Sequence, residues 1–379
     1  MSQPKLPLAL LSALLLPAAL AAATVEERLA ELETKLDTIS AENAALKKQL
    51  GVDSEGRLPT FATVAGKEKK LSVGGYVQFQ GEAGDAPDSR FPLNDRFLIR
   101  RARLGVKGSF AEDIDFTFQA ELGNGSLSST ANYRAQATDV FITWKKFDYA
   151  NVTVGQFKTP YGYEQLISDT KTPFAERSLP NDRLTLSRQI GAMVSGDFLD
   201  KRLSYAVGAF NGNGVNNSAN DNERFLTVAR VSGTPLKTAK YKLTTGAGAF
   251  TTDDGVDAAA IQREGYALDA QFNAGRFDAA AEWFQTDSSP VTGADSTANG
   301  WAAHAAYFVV EKKLQTLLRY ETFDANTSLA DQTSESWTVG LNYFLKGDDL
   351  KLMVNYILGD PAGAFDQRGR LILRAQLIF

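Results

Sequence analysis

The 379-residue chain contains no cysteine, one histidine and three methionines. Without cysteine there is no disulfide scaffold and no thiolate metal site. A single imidazole, His304, argues against a His-built zinc site and a Ser-His-Asp hydrolase. Positive charge is not in excess: 40 Lys+Arg stand against 45 Asp+Glu, a formal net charge of −5. A general nucleic-acid binder needs a basic face, so nucleic acid is not an expected partner. After the first segment no apolar run reaches about 18 residues, so no spanning helix follows. A mean hydropathy of −0.22 excludes a bundle of membrane helices. No Walker loop or dinucleotide fingerprint occurs, and no cofactor or metal is implied. GNGSL (123–127) and NGNGVNNSAND (211–221) are loop chemistry, not phosphate cradles.

Residues 1–23 read MSQPKLPLALLSALLLPAALAAA. One cation, an apolar stretch and Ala21-Ala22-Ala23 form the three regions of a secretory signal peptide. Residues 24–50 follow with apolar positions Val25, Leu29, Leu32, Leu36, Ile39, Leu46 and Leu50, and Asn43 fills the remaining core position. Steps of four and three make this an a/d seam, expected to self-associate as a coiled coil, with Asn43 setting register. A linker is expected over 51–70, ending in the basic run KEKK. The domain of interest is expected to span 71–379.

From Leu71 onward no helical period persists. Apolar and polar residues alternate with period two, the pattern of half-buried strands. In 336–345, Trp337, Val339, Leu341 and Tyr343 fall on one face, and Ser336, Thr338, Gly340 and Asn342 on the other. Sixteen such segments are predicted: 71–80, 96–108, 112–122, 135–145, 151–158, 189–197, 203–211, 223–232, 242–250, 265–273, 276–285, 300–310, 313–322, 336–345, 350–358 and 369–379. By these spans the odd connections run 10 to 30 residues and the even ones 2 to 9. A soluble sandwich has no reason to sort loop lengths by end. An outer-membrane barrel has short turns at one rim, long loops at the other, and strands that are apolar outside and polar inside. The expected fold is therefore all-β: a 16-stranded antiparallel transmembrane β-barrel preceded by a short coiled-coil helix. An even strand count places both barrel ends, and the helix, in the periplasm of a Gram-negative cell. The terminal aromatic Phe379 resembles an outer-membrane assembly signal.

A barrel of this size is too wide for side chains to fill and leaves an aqueous channel, so diffusion of small hydrophilic solutes is the default function. By parity the lumen receives Gln78, Arg101, Arg103, Lys107, Asp115, Glu121, Asp139, Asp269, Asp278, Glu282, His304, Arg319, Lys351, Asn355 and Arg374. Such charges need water or partners. The third connection, 159–188, is the longest, and loops of such length are usually functional. It is expected to fold into the barrel as a constriction, with Tyr161, Glu164, Lys171, Glu176, Arg177 and Arg183 near the permeation path. A narrow low-dielectric passage amplifies the field of such charges.

Several stretches resemble the phosphate- and polyphosphate-selective porin O/P family. RRARLGVKG (100–108) is similar to its early arginine-rich strand. VGQFKTPYGYEQL (154–166) with FAERSLP (174–180) resembles its fifth strand and inward loop, and RQIGAMVSG (188–196) with YAVGAFNGNG (205–214) its next two strands. The resemblance implies a homotrimeric porin in outer-membrane lipid, with anion preference, a third loop at the constriction, and Arg and Lys along the path of small anions such as phosphate. By position, Arg100, Arg101 and Arg103 match the arginine strand and Lys158 the lysine that begins the loop. Parity puts Arg101, Arg103 and Lys107 inside but Arg100 outside, at the rim or against another subunit. The charge balance departs from the family: the barrel carries about −5, and the loops GDAPD and TTDDGVD are expected to add acid outside. The alternative function is a general or weakly cation-selective porin that also tethers the outer membrane to peptidoglycan or another envelope partner through its coiled coil. No enzyme is expected: His304 points inward as a lumen polar residue, and Asp278 and Glu282 are ordinary lumen carboxylates.

Overall fold

The computed structural model describes residues 25–49, 61–65, 69–92, 94–123, 135–364 and 366–379. The expected leader and most of the expected linker lie outside the described residues. The chain divides into two units, Met1–Arg57 and Leu58–Phe379.

The first unit contains helix α1, Val25–Gln49. Leu29, Leu32, Leu36 and Ile39 are between 56% and 69% exposed, so the predicted seam forms an uncovered apolar stripe. Asn43 lies exposed with them; the Leu46 side chain is outside the described residues. Lys35 Nζ donates to Glu31 Oε1 at 2.6 Å, one turn away.

The second unit is a closed antiparallel barrel. A short strand, β1, covers Phe61–Ala65. The first four wall strands are β2 (Lys69–Gly84), β3 (Arg96–Phe110), β4 (Ile114–Glu121) and β5 (Gln136–Phe147). Then come β6 (Ala150–Lys158), β7 (Arg188–Phe198), β8 (Leu203–Phe210), β9 (Leu226–Lys237) and β10 (Tyr241–Asp254). The wall continues with β11 (Ile261–Ala274), β12 (Phe277–Pro290), β13 (Ser296–Val310) and β14 (Leu314–Asp324). It ends with β15 (Thr333–Lys346), β16 (Leu350–Asp360) and β17 (Arg368–Ile378). Each strand pairs with the next, and β17 closes on β2 from Arg370↔Gly84 to Ile378↔Tyr76. Closure leaves no row of unpaired backbone groups toward lipid. Phe379 completes the seam, exchanging 2.9 Å backbone hydrogen bonds with Gly75 in both directions.

All sixteen expected segments are strands, and the short turns, such as 148–149, 238–240 and 275–276, share one rim. Two differences are informative. The expected linker contains β1, which pairs with Lys70–Gly74 of β2 in register Ala65↔Lys70 to Phe61↔Gly74. That stretch of β2 lies beyond the end of β17, so β1 covers the edge that the last strand leaves. Second, β10 and β11 run past the predicted 242–250 and 265–273, pairing Thr251 with Glu264 and Asp254 with Ile261. Apolar alternation stops where lipid contact stops, but the hydrogen-bond ladder continues, so the long loops are shorter than expected.

The outer face is the expected apolar one: Trp337, Val339, Leu341 and Tyr343 are all about half exposed. Near the short-turn rim, Phe147 stacks on Tyr149, Phe198 on Tyr205 and Tyr241 on Phe272. Toward the other rim, Trp301, Tyr320 and Trp337 form a second chain of rings, with centroids 5.2 and 4.8 Å apart. These are the aromatic girdles of a membrane barrel.

Candidate functional site

The long connection between β6 and β7 turns inward along the barrel wall. It holds two short helices, α2 (Tyr163–Leu166) and α3 (Leu179–Leu184). Gly162 opens α2 where the loop meets the wall. A Cβ there would lie 2.9 Å from both Glu282 Oε1 and the Phe284 ring and would force one of them to shift, so glycine eases the approach. The backbone N–H groups of Tyr163 and Glu164 then donate to the Glu282 carboxylate of β12. A wall carboxylate thus satisfies donors that a helix start leaves open.

Tyr161 is fully buried, edge-on to Phe250 at 5.1 Å, and its carbonyl accepts from Arg230 Nη1 of β9 at 2.8 Å. Glu164 caps the other helix, accepting from Ser178 N (3.0 Å) and Ser178 Oγ (2.6 Å). Arg177 reaches Asp169 at 2.6 Å and the carbonyls of Glu164 and Ile167 at 3.0 and 2.9 Å. Arg183 donates to Ser89 Oγ at 2.6 Å, and Lys171 is exposed.

Two buried carboxylates of the loop meet the wall arginines. Glu176 accepts from Arg100 Nε (2.8 Å) and Nη2 (2.9 Å) and also from Arg374. Asp169 accepts from Arg103 Nη1 at 2.6 Å and lies 3.5 Å from Arg101. Burial alone would raise the Asp169 carboxyl, but Arg101, Arg177 and Arg103 hold it well below the usual carboxylate range. Burial opposes ionisation of Glu176 in the same way, and Arg100 and Arg374 again prevail, so it too is held low.

Arg100 corrects the parity assignment. The ladder pairs Gln78 with Arg101 but Phe79 with Ile99, leaving Arg100 as the extra residue of a β-bulge. The bulge resets the alternation, so consecutive arginines both point inward. Arg100 is 6% exposed and is neither at the rim nor on the outer face.

The predicted lumen cations separate into two groups. On the wall made by β14–β17, β2 and the start of β3, they are covered. Arg319 Nη1 donates to the Glu176 carbonyl at 2.9 Å, and its Nε lies 2.9 Å from Glu321 Oε2. Lys351 Nζ donates to the Thr170 carbonyl at 2.9 Å and to Asp348 at 3.0 Å. Arg374 holds Gln80, Glu176 and the Ala175 carbonyl. Arg101 donates to Gln78 Oε1 at 2.9 Å. Asn342 and Asn355 also bond loop backbone, at Pro173 O and Ala175 N.

The second group lines an open cavity of about 370 Å³ between the loop and the β3–β7 wall. Arg103, Lys107, Lys158 and Arg188 line it together with Asp139 and Asp169. Lys158 Nζ donates to the Ile167 carbonyl at 2.8 Å, and Arg188 forks onto Asp139 at 3.0 and 2.9 Å. Arg103 also holds Glu121 at 2.8 Å. Sequence reading missed Arg188 as a lining residue; its only signal was its place as the last residue of the inward loop. His304 does face inward, 3.7 Å from Asp278 and edge-on to Phe174 at 5.4 Å.

The connection 85–95 gives a second correction. Its acid was expected outside, yet Asp88 is 2% exposed and forks with Arg90, and Ala86 and Phe91 are buried beside Ala175 of the long loop.

Known proteins share this architecture. An uncharacterized protein of Caulobacter vibrioides is 23% identical over 357 residues, covering 78% of this chain and 70% of that protein. The anion-selective porin of Comamonas acidovorans superposes with a TM-score of 0.61 at 14% identity, over 82% of this chain and all of that one. OmpT of Vibrio cholerae, solved in its trimer form, gives 0.59 at 12% identity, over 83% of this chain and 100% of that one. At such identities the likeness to the solved porins is one of fold. The profile of the phosphate-selective porin O and P family, however, matches residues 71–379, the whole of the wall from β2 onward but for its first two residues, and the chain belongs to that family of outer-membrane channels.

Proposed function

We propose that this porin is an anion-preferring diffusion channel whose loop 159–188 narrows the lumen to a passage beside the β3–β7 wall. The observation that carries the reading is the cavity of about 370 Å³ lined by Arg103, Lys107, Lys158 and Arg188. Its cations outnumber its two lining carboxylates, Asp139 and Asp169, although the chain is acidic overall. Screening confines an exposed charge to about 8–10 Å, so this local excess sets the field at the passage. In this reading Arg101, Arg319, Lys351 and Arg374 act on permeation through the loop they anchor. Inorganic phosphate is the small anion that the family description suggests.

Residues 1–23 export the chain, Phe379 directs assembly, and the barrel ends and α1 lie in the periplasm. Three copies associate, as OmpT does in its trimer form, and their α1 stripes pair as a coiled coil.

The test is a planar bilayer under a KCl gradient with phosphate then titrated in. An anion-selective reversal potential with phosphate reducing the chloride current is expected. A second reading, a general or weakly cation-selective porin that tethers the envelope through α1, draws on the pairing of so many lumen arginines with carboxylates. Cation selectivity without a phosphate effect would favour it.

A further inference from the structure

We propose that the connection 85–95 is a clasp that fixes the long loop in place, with Arg90 as its positioning residue. The inference rests on the reading that the long loop narrows the pore.

The clasp is built from both sides. Arg370 of β17, fully buried, donates to the carbonyls of Gly84 (2.7 Å), Asp85 (3.2 Å), Pro92 (3.1 Å) and Asn94 (3.0 Å). Four carbonyls on one guanidinium hold both ends of the connection against the wall. This leaves Arg90 at its centre, aimed at the long loop. Arg90 Nη1 donates to the Arg177 carbonyl at 2.5 Å. Its Nη2 reaches Glu321 Oε1 of β14 at 2.9 Å, and Asp88 receives Nε and Nη2 at 2.9 and 2.7 Å. One planar fork therefore joins the connection, the long loop and the wall. Three further contacts run between the same segments: Arg90 Nη1 lies 3.5 Å from Asp182 Oδ2, Arg183 Nη2 donates to Ser89 Oγ at 2.6 Å, and Phe91 and Ala86 share an apolar cluster with Ala175, Met353, Ile357 and Ile372. The long loop is thus trapped between the wall and 85–95 from Ala175 to Arg183. Glu321 keeps Arg319 and Ser336 if Arg90 is lost, whereas Asp88 would become a buried charge without its fork.

The experiment therefore uses the double variant D88N/R90M of the full chain, which removes the Asp88 charge together with its fork; Asp182 of the loop, 3.5 Å from Arg90, has a part-exposed side chain. It is recorded in planar bilayers after heat-modifiable mobility shows a folded barrel. Open-channel noise and brief closures should rise several-fold, and mean conductance should change by at least about 1.5-fold. Because the chain has no cysteine, S89C/R183C can be added to this background and joined by a short bis-thiosulfonate reagent. Joining should return noise and conductance toward the parent values, which a general loss of stability would not do. A porin lacking 168–176 serves as reference. If that deletion changes conductance and folded D88N/R90M does not, the clasp is wrong and the constriction stands. If neither changes conductance, the constriction reading falls and the clasp with it. Should D88N/R90M not fold, S89C/R183C alone decides: quieter channels on joining support the clasp, and unchanged noise overturns it.

Discussion

The two walls of this lumen carry the same residue types in different surroundings. Along β14–β17, β2 and the start of β3, Arg100, Arg101, Arg319, Lys351, Arg370 and Arg374 are at most 6% exposed. Their partners are loop carbonyls and carboxylates together with carboxylates and amides of the wall, so they hold the loop and the connection 85–95 against the wall. Along β3–β7, Arg103, Lys107, Lys158 and Arg188 border open space. Counting lumen charges by strand parity treats both walls alike. What separates them is the inward loop, which lies directly on one wall and leaves a cavity beside the other, where Lys107 is exposed while Arg103 and Arg188 keep carboxylate partners. A desolvated, bonded cation organises structure, whereas a cation beside water acts on ions.

The contrast is most severely tested at the loop carboxylate of the covered wall. Glu176→Gln leaves Arg100 and Arg374 buried without a counter-charge. Losing one partner of a buried ion pair typically costs about 3–5 kcal/mol. The expected result is a folded barrel whose loop is released: faster proteolysis within 159–188, higher conductance and frequent fluctuations. Because the variant removes negative charge from a site sealed off from the path, the reversal potential should follow the wider pore and weaken rather than become more anionic. A variant with parent conductance and a protease-resistant loop would show that Glu176 does not anchor it.

A smaller effect of the opposite kind is expected on the open wall. Lys158→Glu introduces a negative charge bordering the cavity while removing one hydrogen bond to the loop, Lys158 Nζ to Ile167 O. A field change worth about 1 kcal/mol at the passage corresponds to roughly a fivefold fall in the anion-to-cation permeability ratio. Conductance should change little, and the selectivity shift should shrink at high salt. Arg101→Glu is the matching substitution on the covered wall and should disturb conductance more than selectivity. If both substitutions leave the reversal potential unchanged, the two-wall picture has no bearing on ion choice.

Most of the barrel was legible because each strand announces itself locally: a half-buried strand must alternate, and sorted loop lengths declare the two rims. Inward residues such as Gln78, Asn355 and Arg374 followed from parity alone. Parity failed at Arg100, where one bulged residue shifts the phase, and nothing in RRARLGVKG marks which arginine is the extra one. The connection 85–95 was misread for a different reason. Its inward course is decided by Arg370 and Glu321, more than 200 positions later in the chain, and no local signal carries that information. The same holds for the covered cations. Arg319 and Lys351 announce a polar interior, but whether water or a carbonyl meets them depends on where a remote loop settles.

The smallest expected effect is an absence of change on acidification. Asp169 and Glu176 join the long loop to the arginines, and both carboxyls are held below their ordinary range in the folded protein. A depressed folded-state value means that the anchoring is complete above the unfolded value, about 4, and is lost only as pH falls through the lower folded one. Conductance and open-channel noise should therefore stay level from pH 7 down to about 4. Exposed carboxylates titrate first in that interval and can move selectivity slightly. The loop should loosen only in stronger acid, with the conductance increase that Glu176→Gln shows at neutral pH. A step in conductance between pH 7 and 5 would place the controlling group elsewhere, and the chain's one imidazole, His304, is then the side chain to replace. It lies 3.7 Å from Asp278 and edge-on to Phe174 of the loop, and His304→Gln would then abolish the step. A level response retained in His304→Gln would instead leave the arginine-bound carboxylates as the groups that hold the loop through the physiological range.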